Sequence, residues 1–333
     1  MGPVAADGVV GDGVTSACDE TAGQSDFNGD GFDDAVVADP DATVDSAVGA
    51  GQVHVIYGDS SGPIGDGGRR QLLAQGMPGV GQFVEPDDHF GERVVAANLN
   101  QDRCMDLLVG VPDEDLSSEA NAGVVHVIFG SPQGLGRDED PLILRQGRFG
   151  IPGVAERGDL FGFSIAAQAP EGTDGTLVAA GVPGEDIGRL PNAGAVSLVF
   201  VSGFTASDGL GITQNTRGVP GRVEARDMFG FSVAVGFVRN DPDLPDLIAG
   251  VPTEDVDGVS NAGAVTVVDD IEPSKVNFTG EGLTQNSPGI PGVAERGDRF
   301  GYSLTYEQVF TPSDGTLAIG VPFENIRSVV NAG

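Results

Sequence analysis

FGFSIAAQAPEGTDGTLVAAGVPGEDIGRLPNAG, residues 161–194, opens on Phe-Gly, passes through Gly-Val-Pro and closes on Asn-Ala-Gly. The same three markers return in the same order along the chain. Phe-Gly recurs at Phe90-Gly91, Phe229-Gly230 and Phe300-Gly301; Gly-Val-Pro begins again at Gly110, Gly250 and Gly320; Asn-Ala-Gly begins again at Asn121, Asn261 and Asn331. Self-similarity with a period of about 70 residues marks a repeat architecture, and it takes precedence over local propensity. An upstream copy lacks Phe-Gly but keeps AVVADP (Ala35 to Pro40) and GQVHVIYG (Gly51 to Gly58), which match LLVGVP and GVVHVIFG in the next unit.

Each unit contains four short β-prone runs, bounded by Gly, Pro, Asn or Asp. In the second copy these are ERVVAANL, DLLVGVP, GVVHVIFG and PLILRQG. Four antiparallel strands per unit is the pattern of a propeller blade. The first run carries small residues in other copies, GFSIAAQ and GFSVAVG, as strands crowded around an axis require. No stretch has a helical hydrophobic period of useful length.

These markers resemble the FG-GAP repeat family, found in integrin α subunits and in secreted bacterial proteins. The resemblance covers the chain from about Asp26 to Gly333. It implies an all-β fold: a β-propeller of four-stranded antiparallel blades. Seven blades close the ring in that family, whereas here one copy lacks its first strand, three are complete and one stops early. The expectation is a partial or truncated propeller, with a five-bladed ring closed by pairing its two ends as the alternative. The organisation reads as an N-terminal extension over 1–20 and a propeller over 21–333. Its repeats lie at about 21–75, 76–146, 147–214, 215–285 and 286–333, the last incomplete.

DFNGDGFDD, Asp26 to Asp34, puts side-chain oxygens at alternate loop positions: Asp26, Asn28, Asp30 and Asp34. A hard cation takes six to eight oxygens; Gly31 permits the sharp bend and Phe32 can offer its carbonyl. The loop is therefore expected to bind Ca2+, the alternative being an ordinary Asp/Asn/Gly turn. Position 12 is Val37, in a strand run, which excludes an EF-hand. The second copy, NLNQDRCMD, keeps Asn98, Asn100, Asp102 and Asp106, with Cys104 offering its carbonyl. Fewer carboxylates and Arg103 in place of the glycine predict weaker binding. QAPEGTDGT (Gln168 to Thr176) and QVFTPSDGT (Gln308 to Thr316) have no alternating acids, FVRNDPDLPD (Phe237 to Asp246) has an extra residue and two prolines, and all three are expected to hold no metal.

Fifty acidic against 17 basic side chains, a net charge of −33, create a field that repels nucleic acid and anionic lipid. No apolar run is long enough to cross a bilayer as a helix. Cys18 and Cys104 are too few for a disulfide framework and lack zinc spacing, which leaves their redox state open. The N-terminal residues MGPVAADGVVGDGVTSACDE lack the basic start and apolar core of a signal peptide.

Arg-Gly-Asp occurs at Arg157 to Asp159 and at Arg296 to Asp298, but the other copies read Ala225-Arg226-Asp227 and Pro86-Asp87-Asp88. The shared element is an aspartate two residues before Phe-Gly, which fits a turn or capping role. His54, His89 and His126 sit at repeat positions where other residues stand in, and no nucleophile elbow, P-loop or dinucleotide fingerprint is present. The chain is expected to be no enzyme but a secreted or cell-surface, calcium-binding module for a protein or carbohydrate ligand, as the family resemblance implies. An accessory propeller of a secreted hydrolase or lyase is the alternative, and an acidic surface protein of a salt-adapted organism is a third reading.

Overall fold

The computed structural model describes residue 18 and residues 25–60, 69–170, 175–238, 244–272, 275–308, 315–326 and 329–333. All regular elements among them are strands. The first sheet joins β1 (Ala35–Asp39), β2 (Gln52–Ile56) and β3 (Arg70–Leu73). The second contains β4 (Arg93–Ala97), β5 (Asp106–Val111), β6 (Val124–Ile128) and β7 (Leu142–Leu144). The third contains β8 (Ile165–Gln168), β9 (Thr176–Val182), β10 (Ala195–Ser202) and β11 (Thr205–Ile212). The fourth contains β12 (Ser232–Gly236), β13 (Asp246–Val251), β14 (Ala264–Val268) and β15 (Gly280–Leu283). β16 (Ser303–Gln308) and β17 (Gly315–Gly320) make the fifth. Within each sheet every strand pairing is antiparallel and joins sequence neighbours, as in the blades of a propeller.

The sheets stack face to face, and this explains the unbroken apolar runs of β5, β9 and β13. A strand covered on both faces has no reason to alternate with polar residues. Leu107, Val109 and Val111 of β5 enter the core against the first sheet, while Leu108 enters the core against the third. In β9, Val178, Ala180 and Val182 face the second sheet, and Leu177 and Ala179 face the fourth. Each core therefore lies between blades, and no blade buries its apolar surface alone.

The three sequence markers meet at one junction. The Phe229 amide donates to Ala193 O of the preceding blade at 3.0 Å, and the same bond recurs for Phe90, Phe161 and Phe300. A Cβ on Gly194, which sits at φ +85°, would lie 2.3 Å from Phe229 N. Only glycine admits so close a backbone approach. The Asn-Ala-Gly of one blade is thus the seat for the Phe-Gly of the next.

β4, β8, β12 and β16 surround a cavity of about 610 Å3, lined by Ala96, Ala97, Ala166, Ala167 and Ala234 among others. These are the small residues that crowding around an axis demands. No strand of the first sheet pairs with a strand of the fifth among the described residues, so the two ends do not close a ring by strand pairing there. The N-terminal extension lies outside the described residues except Cys18, which forms a disulfide with Cys104 across 86 residues. No helix among the described residues is long and apolar enough to cross a membrane.

Candidate metal sites in the hairpin loops

Immediately before β1, the loop carrying Asp26 to Asp34 winds around its own carboxylates. Asp26 is fully buried; its Oδ1 accepts from the Gly29 amide (2.7 Å) and its Oδ2 from the Gly31 amide (2.9 Å). Asn28 Nδ2 donates to Asp30 Oδ2 at 2.9 Å, and the Phe32 amide donates to Asp30 Oδ1 at 3.0 Å. Asp34 ties the loop to the sheet: Oδ2 accepts from the Phe27 amide and Oδ1 from the Gly58 amide, each at 2.8 Å. Burial pushes the Asp34 carboxyl up to about 7 and that of Asp26 upward as well, with neighbouring carboxylates adding to both shifts. A divalent cation bound in the loop would offset the cost of these buried carboxylates.

The second loop repeats the part of this network made by Asn28, Asp30 and Asp34. Asn100 Nδ2 donates to Asp102 Oδ2 (2.8 Å), the Cys104 amide to Asp102 Oδ1 (3.0 Å), the Leu99 amide to Asp106 Oδ2 (2.7 Å) and the Gly130 amide to Asp106 Oδ1 (2.8 Å). Asn98 Oδ1 is buried and has no hydrogen-bond donor, so this oxygen is free to meet a cation. Burial lifts the Asp106 carboxyl to about 7 and raises that of Asp102. The oxygen-only donor set of both loops fits calcium: Asp26, Asn28, Asp30, Asp34 and the Phe32 carbonyl in one, Asn98, Asn100, Asp102, Asp106 and the Cys104 carbonyl in the other.

Arg103 has φ +76° where Gly31 has φ +90°, so the second loop keeps the bend at the expense of a left-handed arginine. Such a residue costs about 1–2 kcal/mol. Arg103→Gly is expected to raise stability in saturating calcium by about 1 kcal/mol, with a Tm higher by on the order of 2 °C. Differential scanning calorimetry checks this, and an unchanged or lower Tm would refute it.

The two loops are neighbours. The Met105 amide donates to Asp26 O at 2.8 Å, and the disulfide sits between them, with Cys104 Sγ 3.1 Å from where a Cβ on Gly29 would be. Nothing in the spacing of two cysteines signalled that pairing; only the juxtaposition of the loops does. The position-9 aspartate also has a task that ligand counting overlooked. Asp246, in the fourth blade, still accepts from the Asp270 amide (2.9 Å) although the loop before it has lost the other oxygens. In the third blade Leu177 stands at this position, and the neighbouring Thr176 donates to Asn98 O at 2.9 Å. The centres of the three loops expected to lack metal lie outside the described residues.

Asp159 and Asp298, the acids of the two Arg-Gly-Asp triplets, are buried and accept from the Glu156 and Glu295 amides at 2.7 and 2.6 Å. Asp227 does the same with Glu224. A carboxylate enclosed in its own turn cannot serve as an exposed adhesion signal. His126 is wholly buried, its Nδ1 bonded to Val80 O, and burial pulls its pKa down to about 4. His89 pairs with Asp113 at 3.0 Å at a half-buried position.

A family model for the FG-GAP repeat matches residues 90–128, from the Phe-Gly of the second blade through its hairpin loop to β6. Among curated proteins, phosphatidylinositol-glycan-specific phospholipase D of Bos taurus is 33% identical over 111 residues, covering 33% of this chain and 13% of that protein. The protein of the same description from Homo sapiens is 32% identical over 124 residues, 36% of this chain and 14% of its own length. That from Dictyostelium discoideum is 24% identical over 290 residues, 84% of this chain and 29% of its own length. The chain thus spans less than a third of the length of each of these relatives.

Proposed function

We propose, for a chain built of FG-GAP repeats, a calcium-stabilised propeller module that acts outside the cytosol, recognises a protein or carbohydrate ligand and carries no catalytic centre of its own. The carrying observation is the paired hairpin network, with its buried carboxylates and the donorless Asn98 Oδ1. The Cys18–Cys104 disulfide supports the location, because such bonds persist in oxidising compartments. A rigid stack of blades that leaves its connecting loops at the rim suits binding.

Chelation tests this reading. Calcium at about 100 times its dissociation constant stabilises a folded chain by roughly 2.7 kcal/mol per site. EDTA is therefore expected to lower the Tm, and Asp30→Asn to remove part of that difference. An identical Tm with and without chelator, together with no calcium by elemental analysis, sinks the assignment.

A second reading is favoured by the relatives. All the curated proteins named above are described as phospholipases specific for phosphatidylinositol-glycan, and this chain matches only a fraction of each. The module would then be the accessory propeller of such a hydrolase, with the chemistry supplied by other segments. Release of a glycosylphosphatidylinositol-anchored reporter from vesicles by this chain alone would overturn the non-catalytic assignment in both readings.

A further inference from the structure

Outside the hairpin loops, one set of three side chains recurs where consecutive blades meet. Gln75, Gln146, Gln214 and Gln285 are each nine-tenths or more buried. Each stands thirteen residues before the aspartate that precedes Phe-Gly, and each donates through Nε2 to a glutamate placed four residues after the Gly of Gly-Val-Pro. The bonds to Glu185, Glu254 and Glu324 measure 2.6, 2.8 and 2.5 Å. In all four copies the glutamine Oε1 is buried with no donor. Amide geometry keeps that oxygen within about 5 Å of the glutamate carboxylate. Asp88 Oδ2 and Asp298 Oδ1 are likewise buried and donorless. No lysine or arginine lies within ion-pair distance of these acids among the described residues.

The first junction differs in one residue. Gln82 Nε2 donates to Glu114 Oε1 at 2.8 Å, so both carboxylate oxygens of Glu114 hold an amide. Glycine takes that place in the other copies, where a Cβ on Gly153, Gly221 or Gly292 would lie 2.7, 2.6 or 2.9 Å from the glutamine Nε2. Glu185 and Glu254 consequently keep one oxygen without a hydrogen-bond partner and, unlike Glu114, remain half-buried with a path to solvent. Glu324 has the same arrangement.

We propose that the junctions around Glu185, Glu254 and Glu324 each bind a hard divalent cation such as calcium, and that Gln82 takes the cation's place at the first junction. Two carboxylates and one amide oxygen supply hard ligands only, and water entering past the half-buried glutamate completes the shell. The cation meets a need that nothing else there meets: a buried carboxylate without a positive partner is costly. Burial already drives the Glu254 and Asp159 carboxyls up to about 7. These sites lie apart from the hairpin loops and do not depend on those loops binding calcium.

Equilibrium dialysis against calcium at pH 8, on the full chain, tests the proposal. Asp30→Asn with Asp102→Asn disables the hairpin cages, and the difference from the unmodified chain counts those cages separately. In this double variant about one equivalent per junction is expected to remain. Adding Glu254→Gln, which keeps an acceptor for Gln214, should remove about one more equivalent, whereas adding Glu114→Gln should remove none. Circular dichroism confirms that each variant is folded. A folded double variant that binds no calcium, or a calcium count unaffected by Glu254→Gln, overturns the proposal and shows that protons alone neutralise the junctions.

Discussion

Phe229→Ala is expected to destabilise the chain by about 3–5 kcal/mol, the range for removing a large aromatic from a closed core. Phe229 is wholly buried between the third and fourth blades, packed with Val196, Val233 and Ala249. Its amide bond to Ala193 and the clearance under Gly194 hold the backbone in place, so the site has little freedom to collapse around the lost ring. A cavity that cannot close adds to the lost transfer energy. Phe83→Ala is the control: that ring is 82% exposed, and surface changes of this kind stay within about 0.5 kcal/mol. Urea unfolding followed by circular dichroism compares the two. Equal midpoints for both variants would mean that the Phe-Gly ring does not hold neighbouring blades together.

Loss of the Cys18–Cys104 bond is the other large effect. Its closed loop spans 86 residues, and restricting an unfolded chain over that length is worth about 4–5 kcal/mol in the chain-entropy account. Cys18→Ser should therefore lower the urea midpoint strongly in non-reducing buffer and make stability insensitive to reductant. The unmodified chain should fall to the same midpoint once reduced. The bond also seats the second hairpin loop beside Gly29 of the first, so the reduced chain is expected to bind calcium less tightly in calorimetric titration. A midpoint indifferent both to the substitution and to reductant would show that the bond does not constrain the unfolded chain.

The blades were legible because the repeat forces them to be. A strand buried on both faces must be apolar throughout, so DLLVGV, TLVAAGV and DLIAGV announce themselves, and the turns between them carry their own chemistry. The residues of the two candidate loops could be picked out from spacing, since alternate residues of a tight loop turn the same way. What the spacing could not say is that Asn-Ala-Gly and Phe-Gly belong to a single contact, because they lie in different blades and meet only after folding. The disulfide was hidden for the same reason, with the added difficulty that Cys18 falls outside the repeat. The recurring Gln75, Gln146, Gln214 and Gln285 were visible as a fourth marker, yet a glutamine has no meaning in one dimension until its carboxylate partners are known.

The aspartate that ends the first, second and fourth of these loops has a wider consequence. Asp34, Asp106 and Asp246 pin the start of one strand to the end of the next whether or not the preceding loop has the oxygens for an ion. The loop interior is therefore a replaceable cassette, held by its hinge while its contents are rewritten. The side-chain oxygens of such a loop can then be acquired or abandoned one blade at a time without endangering the fold. A lineage of such proteins should vary far more in how many ions it carries than in how its blades are built.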